Sequence, residues 1–385
     1  MPKVLRRWSL VLALALVALP GTRAFSDPAG GGIGGLGIHP GGIGGTGIHP
    51  GGIGGTGITA LGVIQRFGSI YVNGQEYVLS PQTRYSVDGT AGTAKDLRLG
   101  DRVTVQAAAD GQAVAQVVRV EHAVIGRVTN VDAAKRQFTI LGETIQAGKM
   151  TPLTVHNSDQ SLPFAALKAG DVVSVSGLDR GNGHWLATEI CRRYPADAAP
   201  ARVPLLLRGR VDAIYPGQNT LEVGATKLKV NGTLLRAIQV GQSVVVRGEY
   251  TDGKTRAESI SPTALAAQEV GNRVSLLGYL DRGTDGWTTH GVSLVENHHT
   301  LYENGDAADM QAGSMVAIEG RVQAPGVVNA ERVIFSVNPM DFDFPIIPRM
   351  PVLPPVLHHP EIERPEFGPP EIEPLVEKPE LPDND

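Results

Sequence analysis

A chain of 385 residues with 48 glycines and 27 prolines is too long for one small core and too rich in turn formers to be built mainly of long helices. Its single cysteine excludes an intramolecular disulfide. A net charge of −5, with 19 % charged residues, speaks against a polycationic surface of the kind that coats nucleic acid.

Residues 1–24 read as a secretory signal peptide. Lys3, Arg6 and Arg7 give a basic start, Leu10 to Leu19 an apolar run, and Thr22-Arg23-Ala24 a small residue at a cleavage position before Phe25. The run is too short to span a bilayer, so cleavage is expected over anchoring. The sequence thus predicts an exported chain, periplasmic or extracellular, with no transmembrane segment after cleavage. Residues 25–60 carry glycine-rich decapeptides, GGIGGLGIHP, GGIGGTGIHP and GGIGGTGITA from Gly31 onward. So much glycine favours a flexible tether. An ordered extension packed through the recurring isoleucines, such as Ile43, Ile48 and Ile53, is the alternative.

From Leu61 a longer repeat begins. Its marker is Leu-x-x-Gly followed by alternating apolar residues: LRLGDRVTV from Leu97, LKAGDVVSV from Leu167, IQVGQSVVV from Ile238 and MQAGSMVAI from Met310. The marker glycines, Gly100, Gly170, Gly241 and Gly313, permit a turn before a strand. Strand alternation then aims Val103, Val105, Val173, Val175, Val244, Val246, Val316 and Ile318 at equivalent cores. It leaves Thr104 and Ser174 facing outward in the first two copies, with Val245 and Ala317 at the same places in the last two. Each copy opens with a glycine-containing strand (Gly62, Gly126, Gly209, Gly278) and closes with a strand after a turn.

In the first unit the strands are expected at residues 62–66, 69–79, 84–87, 101–107 and 113–120, with one helical turn in TAKDLRLG. The fold class is therefore all-β: tandem five-stranded barrels of the OB kind, with an SH3-like barrel as the alternative, since pattern does not fix strand order. The units are placed at 61–122, 123–191, 205–262 and 273–337. A linker at 192–204 would divide the body into two pairs. Thirteen prolines and eleven acids lie in 338–385, which read as a disordered, extended Pro/Glu-rich tail. Between the basic start and this acidic tail the body is close to neutral.

One resemblance follows from these residues. The GGIGGTGI array, then FGSI at Phe67, VNG at Val72 and LRLGDRVTV at Leu97, resembles bacterial exported proteins carrying the domain of unknown function family 5666. The first unit fits best, the second and third keep the strand marker without FGSI, and the fourth departs further. The resemblance implies small β-barrels outside the cytoplasm. It brings no activity and no functional residues.

The sequence displays no nucleophile elbow, phosphate loop, zinc-protease helix or paired-cysteine motif. No catalytic residue, cofactor or metal ligand is therefore assigned. Cys191 reads as a small buried residue at a strand end. The adjacent His298 and His299 would point to opposite faces of a strand and so not share a metal. The one candidate binding face is in the first unit, where Phe67, Tyr71, Tyr77 and Tyr85 could stack on bases or sugar rings, with Arg66 and Arg84 beside them. Core packing explains the same aromatics.

The expected function is a non-enzymatic exported protein whose barrels form a binding or structural scaffold in the cell envelope. Polymer binding, to oligosaccharide or nucleic acid, on an OB-type face is the alternative, and a metal-handling or enzymatic protein a further one. Partners stay open, with envelope proteins or polysaccharide in view and nucleic acid disfavoured by charge.

Overall fold

The computed structural model describes residues 57–339, apart from 109–111, 159, 252–253, 264–267, 269, 284–285 and 336. The expected signal peptide, the decapeptide array up to residue 56 and the tail from residue 340 lie outside the described residues.

Barrel 1 contains β1 (Gly57–Arg66), β2 (Ile70–Val72), β3 (Gln75–Val87), β4 (Thr90–Gly92), β5 (Arg102–Ala108) and β6 (Val114–Val120). The expected strand 69–79 is two strands, split by a turn at Asn73-Gly74 where both residues have positive φ. Residues 84–87 continue β3. The ring closes as β1–β2–β3–β6–β5–β1, antiparallel except between β3 and β6. A 3-10 turn, Ala94–Asp96, lies between β3 and β5. Parallel third and fifth strands, with the turn between third and fourth, are the OB arrangement, which sets the SH3-like alternative aside.

The other barrels repeat this ring. Barrel 2 holds β7 (Val124–Asp132), β8 (Gln137–Ile140), β9 (Glu143–Ala147), β10 (Leu153–Val155), β11 (Ser161–Leu162), β12 (Val172–Asp179) and β13 (His184–Tyr194). Here β9 and β10 form an interrupted third strand, both parallel to β13. Barrel 3 holds β14 (Arg202–Tyr215), β15 (Thr220–Val223), β16 (Thr226–Lys229), α1 (Gly232–Leu235), β17 (Ser243–Thr251) and β18 (Lys254–Pro262). It closes through the parallel pair Lys229–Arg256. Barrel 4 holds β19 (Arg273–Tyr279), β20 (Asp281–Arg282), β21 (Trp287–Thr289), β22 (Val292–Val295), β23 (Leu301–Glu303), β24 (Met315–Ala324) and β25 (Val327–Phe335). Its first strand continues from β19 through Leu280 into β20, which pairs with β21.

The repeat marker has a physical cause in every barrel. The four marker glycines have φ between +86° and +96°, which residues with a Cβ rarely adopt. The next residue ties the turn down: a carboxylate oxygen of Asp101 accepts from the Arg98 amide at 2.7 Å, and one of Asp171 from the Lys168 amide at 3.0 Å. In barrel 3 Gln242 does the same for Gln239. All eight apolar residues expected inward are buried. Cys191 is also buried, within β13.

Barrel-to-barrel contact changes the picture of separate barrels in two ways. Val245 and Ala317 lie on the outer side of their strands as expected, yet they are buried, as are Thr104 and Ser174. The residues at 192–194 and 202–204 belong to β13 and β14, so the connection between barrels 2 and 3 shrinks to 195–201. Nor does it separate two sequential pairs. Instead β14 pairs with β7, joining barrels 2 and 3, and β1 runs parallel to β19 from Ile58–Arg273 to Leu61–Leu276, joining the first barrel to the last. A small barrel buries too little surface alone, and the outer faces of the fourth strands make up the difference. Val245 packs with Ile125 and Leu206, and Ala317 with Val63, Leu178 and Leu277. Barrels 2 and 3 share one continuous core.

Barrel contact also tightens the demand for glycine at Gly100. A Cβ there would lie 2.2 Å from the Thr188 carbonyl oxygen across the interface with barrel 2, whereas the equivalent Gly241 has open space around it. Gly241→Ala should lower stability by about 1–2 kcal/mol from backbone strain alone. Gly100→Ala should lower it by at least ~1 kcal/mol more, since backbone must move to relieve the overlap; urea denaturation midpoints of the two variants make the comparison.

Candidate functional site

The aromatic face expected in barrel 1 does not assemble. Tyr77 is wholly inside the barrel core, and Tyr85 packs half-buried against the same core. Arg84 is exposed but pairs with Val117 of β6, whereas Val78, next to Tyr77, pairs with Val114. Three residues along a strand put the two ends of β3 roughly 10 Å apart. What remains at the surface is a smaller group: Arg66 lies over the Tyr71 ring, 4.8 Å from its centroid, and Phe67 in the adjoining turn is 47 % exposed. His298 and His299 sit in a turn rather than on a strand, their rings 3.8 Å apart.

The polar residues that do converge lie where the barrels meet. The chain passes from β6 into β7 through Glu121-His122-Ala123, with no glycine or proline to turn it outward. Glu121 is consequently drawn into the junction, between Arg102 at 3.2 Å and Arg208 at 3.6 Å, and accepts from Thr104 Oγ1 at 3.0 Å. Burial opposes its charge, but Arg208 and Arg102 outweigh that and hold the carboxyl below its ordinary range. Arg208 also donates from Nε to the His122 carbonyl at 3.2 Å.

His122 faces two ways. Asp88, in the turn after β3, accepts from the His122 amide at 2.9 Å and meets its Nδ1 at 2.6 Å. Burial would lower the imidazole, yet Asp88, then Asp101 and Glu189, raise it. Those last two complete a cluster. Asp101, His122 and Glu189 are all buried and offer one ligand atom each within 4.8 Å of one another. Asp101 Oδ1 accepts from Ser176 Oγ at 3.3 Å, and Glu189 Oε1 from Thr154 Oγ1 at 2.7 Å. Glu189 Oε2 has no hydrogen-bond partner. Burial pushes Asp101 up to about 6, and burial followed by the charge of Asp101 pushes Glu189 up to about 8.

Other barrel faces are polar but closed. Glu143 is buried between barrels 2 and 3 and accepts from Trp185 Nε1, the Ala225 amide and Thr226 Oγ1, so both of its oxygens are satisfied. Asn73 donates to the Leu61 carbonyl and to Ser275 Oγ, pinning barrel 1 to β19. A cleft in barrel 4 is lined by Val274, Leu276, Val292, Val322 and Val328 with Gln268, and none of the described residues lining it is titratable. Among the described residues no helix is long and apolar enough to cross a membrane.

Residues 58–119, 125–191 and 278–334 fit the family model of a domain of unknown function, DUF5666. The chain carries tandem DUF5666 domains. No curated protein matches it. The matched stretches fall on barrels 1, 2 and 4. The fourth barrel is thus a DUF5666 domain despite its divergent marker. The third has the same ring without a match of its own.

Cluster residues Asp101, His122 and Glu189 escaped the sequence reading because they come from two DUF5666 domains and the step between them. The one local signal was the charged Glu121-His122 step between two buried strands.

Two outcomes test the electrostatics. Arg208→Ala leaves Glu121 with one cation in a buried site and should destabilise the fold by about 3–5 kcal/mol, whereas Arg202→Ala, which breaks an exposed pair with Glu249, should change it by less than ~1 kcal/mol; urea titration reads both. Asp179, at the end of β12, is pushed up from 3.8 to about 6 by burial, with Asp212 and Asp281 adding to it. Its proton therefore stabilises the fold fully below about 3.8, and that contribution is lost as pH rises through about 6. Asp179→Asn should flatten the decline in melting temperature across this window, with little change at its acid end.

Proposed function

We propose that this is an exported, non-enzymatic scaffold whose four barrels act as one rigid body in the cell envelope. The observation that carries the reading is the use of strand edges and fourth-strand faces for barrel-to-barrel contact. Such contact fixes the barrels relative to one another, as a scaffold requires and independently binding modules do not. The non-enzymatic part is supported by the cleft of barrel 4, which is apolar, and by the polar groups of Glu143 and Asn73, which serve inter-barrel bonds. Export rests on the basic, apolar and small-residue order of residues 1–24.

A second reading has its own observation. Phe67 and the Arg66–Tyr71 stack remain at the surface of barrel 1 and could hold a polymer by stacking.

A thermal-shift screen of the mature chain against soluble glycans and single-stranded oligonucleotides separates the two. The scaffold reading expects shifts below about 1 °C with every probe. A reproducible larger shift that Tyr71→Ala abolishes would replace it with the polymer-binding reading. N-terminal sequencing of the protein from its producing cells should begin at Phe25, and an intact Met1 would overturn export.

A further inference from the structure

We propose that Asp101, His122 and Glu189 form a binding site for one divalent transition-metal ion of the zinc type, which fastens barrel 1 to barrel 2. The three donors come from separate segments: the turn before β5, the step from β6 to β7, and the middle of β13. Their ligand atoms lie within 4.8 Å of one another. Zinc takes nitrogen and oxygen ligands at about 2.0–2.2 Å, so two of its ligands in a tetrahedral site stand about 3.3–3.5 Å apart. Small side-chain rotations close the difference.

Four features point to an ion. The first is Glu189 Oε2, wholly buried and without a partner. Leaving a buried carboxylate oxygen unpaired is costly, and a coordinated cation removes the deficit. The second is charge. Two carboxylates share this dry site, and a dication between them turns their repulsion into attraction.

The third is the arrangement behind the donors. Asp88 holds His122 Nδ1 at 2.6 Å, leaving Nε2 as the ring nitrogen for a ligand. Carboxylate–histidine–metal relays are built this way, the outer carboxylate fixing tautomer and ring orientation. Thr154 likewise positions Glu189 through its other oxygen, and the Arg98 amide and Ser176 position Asp101. The fourth is donor chemistry. One imidazole and two carboxylates suit zinc, manganese or ferrous iron, lack the sulfur that favours copper(I), and are too few for calcium.

Asp171 shows what the same motif position does without such a site. Its second carboxylate oxygen accepts from the Ala196 amide at 2.8 Å, and it has no histidine and glutamate partners. Asp101 therefore combines the turn-tying role common to the marker with a role at the junction. Because the donors belong to two barrels, the ion binds the assembled pair in preference to the unfolded chain.

The test uses the full mature chain after chelator treatment, titrated with zinc chloride near neutral pH by calorimetry and thermal shift. One equivalent should bind per chain. The melting temperature should rise by about 5 °C or more at a hundredfold excess over the dissociation constant. Glu189→Gln should weaken binding at least tenfold, while its metal-free melting temperature equals or exceeds that of the parent, since the buried carboxylate pair is relieved. The His298→Gln, His299→Gln double variant should bind as the parent does. Replacing zinc with cobalt should give the visible absorption of a four-coordinate site, lost in Glu189→Gln. An unchanged parent melting temperature overturns the proposal, as does zinc binding that survives Glu189→Gln intact.

Discussion

The parallel pairing of β1 with β19 is the contact on which the rest of the arrangement depends. It brings the first barrel against the last, so four beads on a string become a closed group. Without it the faces carrying Val63, Leu277 and Ala317 would meet water. With it, barrel 2 is drawn in through Leu178, and the step from barrel 1 to barrel 2 is enclosed by barrel 3. Parallel pairing between distant segments is slow to find, because a long loop must close first. Here that loop contains two barrels joined to each other through β7 and β14, which shortens the effective search.

Enclosure determines the chemistry of the junction. Charges that would be ordinary on a surface become strongly coupled when desolvated. Glu121 keeps its charge because two guanidiniums reach it, and Asp88 because His122 does, although burial works against both. Among the described residues Glu189 has no ion pair of this kind, and burial followed by the charge of Asp101 pushes its carboxyl up. His290, only a short way off, shows the reverse: burial and then Arg102 press its imidazole down to about 4, so it is neutral and donates to the Leu277 carbonyl. Ion pairs of this sort add little net stability over apolar packing, yet removing one partner leaves a costly unpaired charge behind.

The parts of the fold legible in the sequence are those with local causes. The marker glycine, its following Asp and the alternating valines are set by backbone φ, a three-residue turn and strand alternation, all within nine residues. They placed the core correctly in all four barrels. The outward direction of Ala317 was also correct, and what lies on that side is another barrel. Alternation says which side of a strand a residue takes and nothing about what lies on that side. Of the two readings open for Tyr77, core packing is the one the barrel uses: one aromatic in a row of tyrosines is indistinguishable from its neighbours until the barrel closes. The pairing of barrels was invisible because β1 and β19 are far apart in sequence and look like the equivalent strands elsewhere. Asp101 was in plain view as part of LRLGDRVTV, where its turn-tying role hid any other.

Joining first barrel to last also decides how the body would carry mechanical load. Gly57 opens β1, and Val337, which follows β25, packs with Val63 of that same first strand. Tension applied between Gly57 and Val337 therefore runs through barrels 1 and 4 and their shared strand pairing, loading those hydrogen bonds in shear. Barrels 2 and 3 lie on a covalent detour that stays slack until that contact parts. The body would thus behave under pull as a short, stiff link with a long hidden reserve of chain.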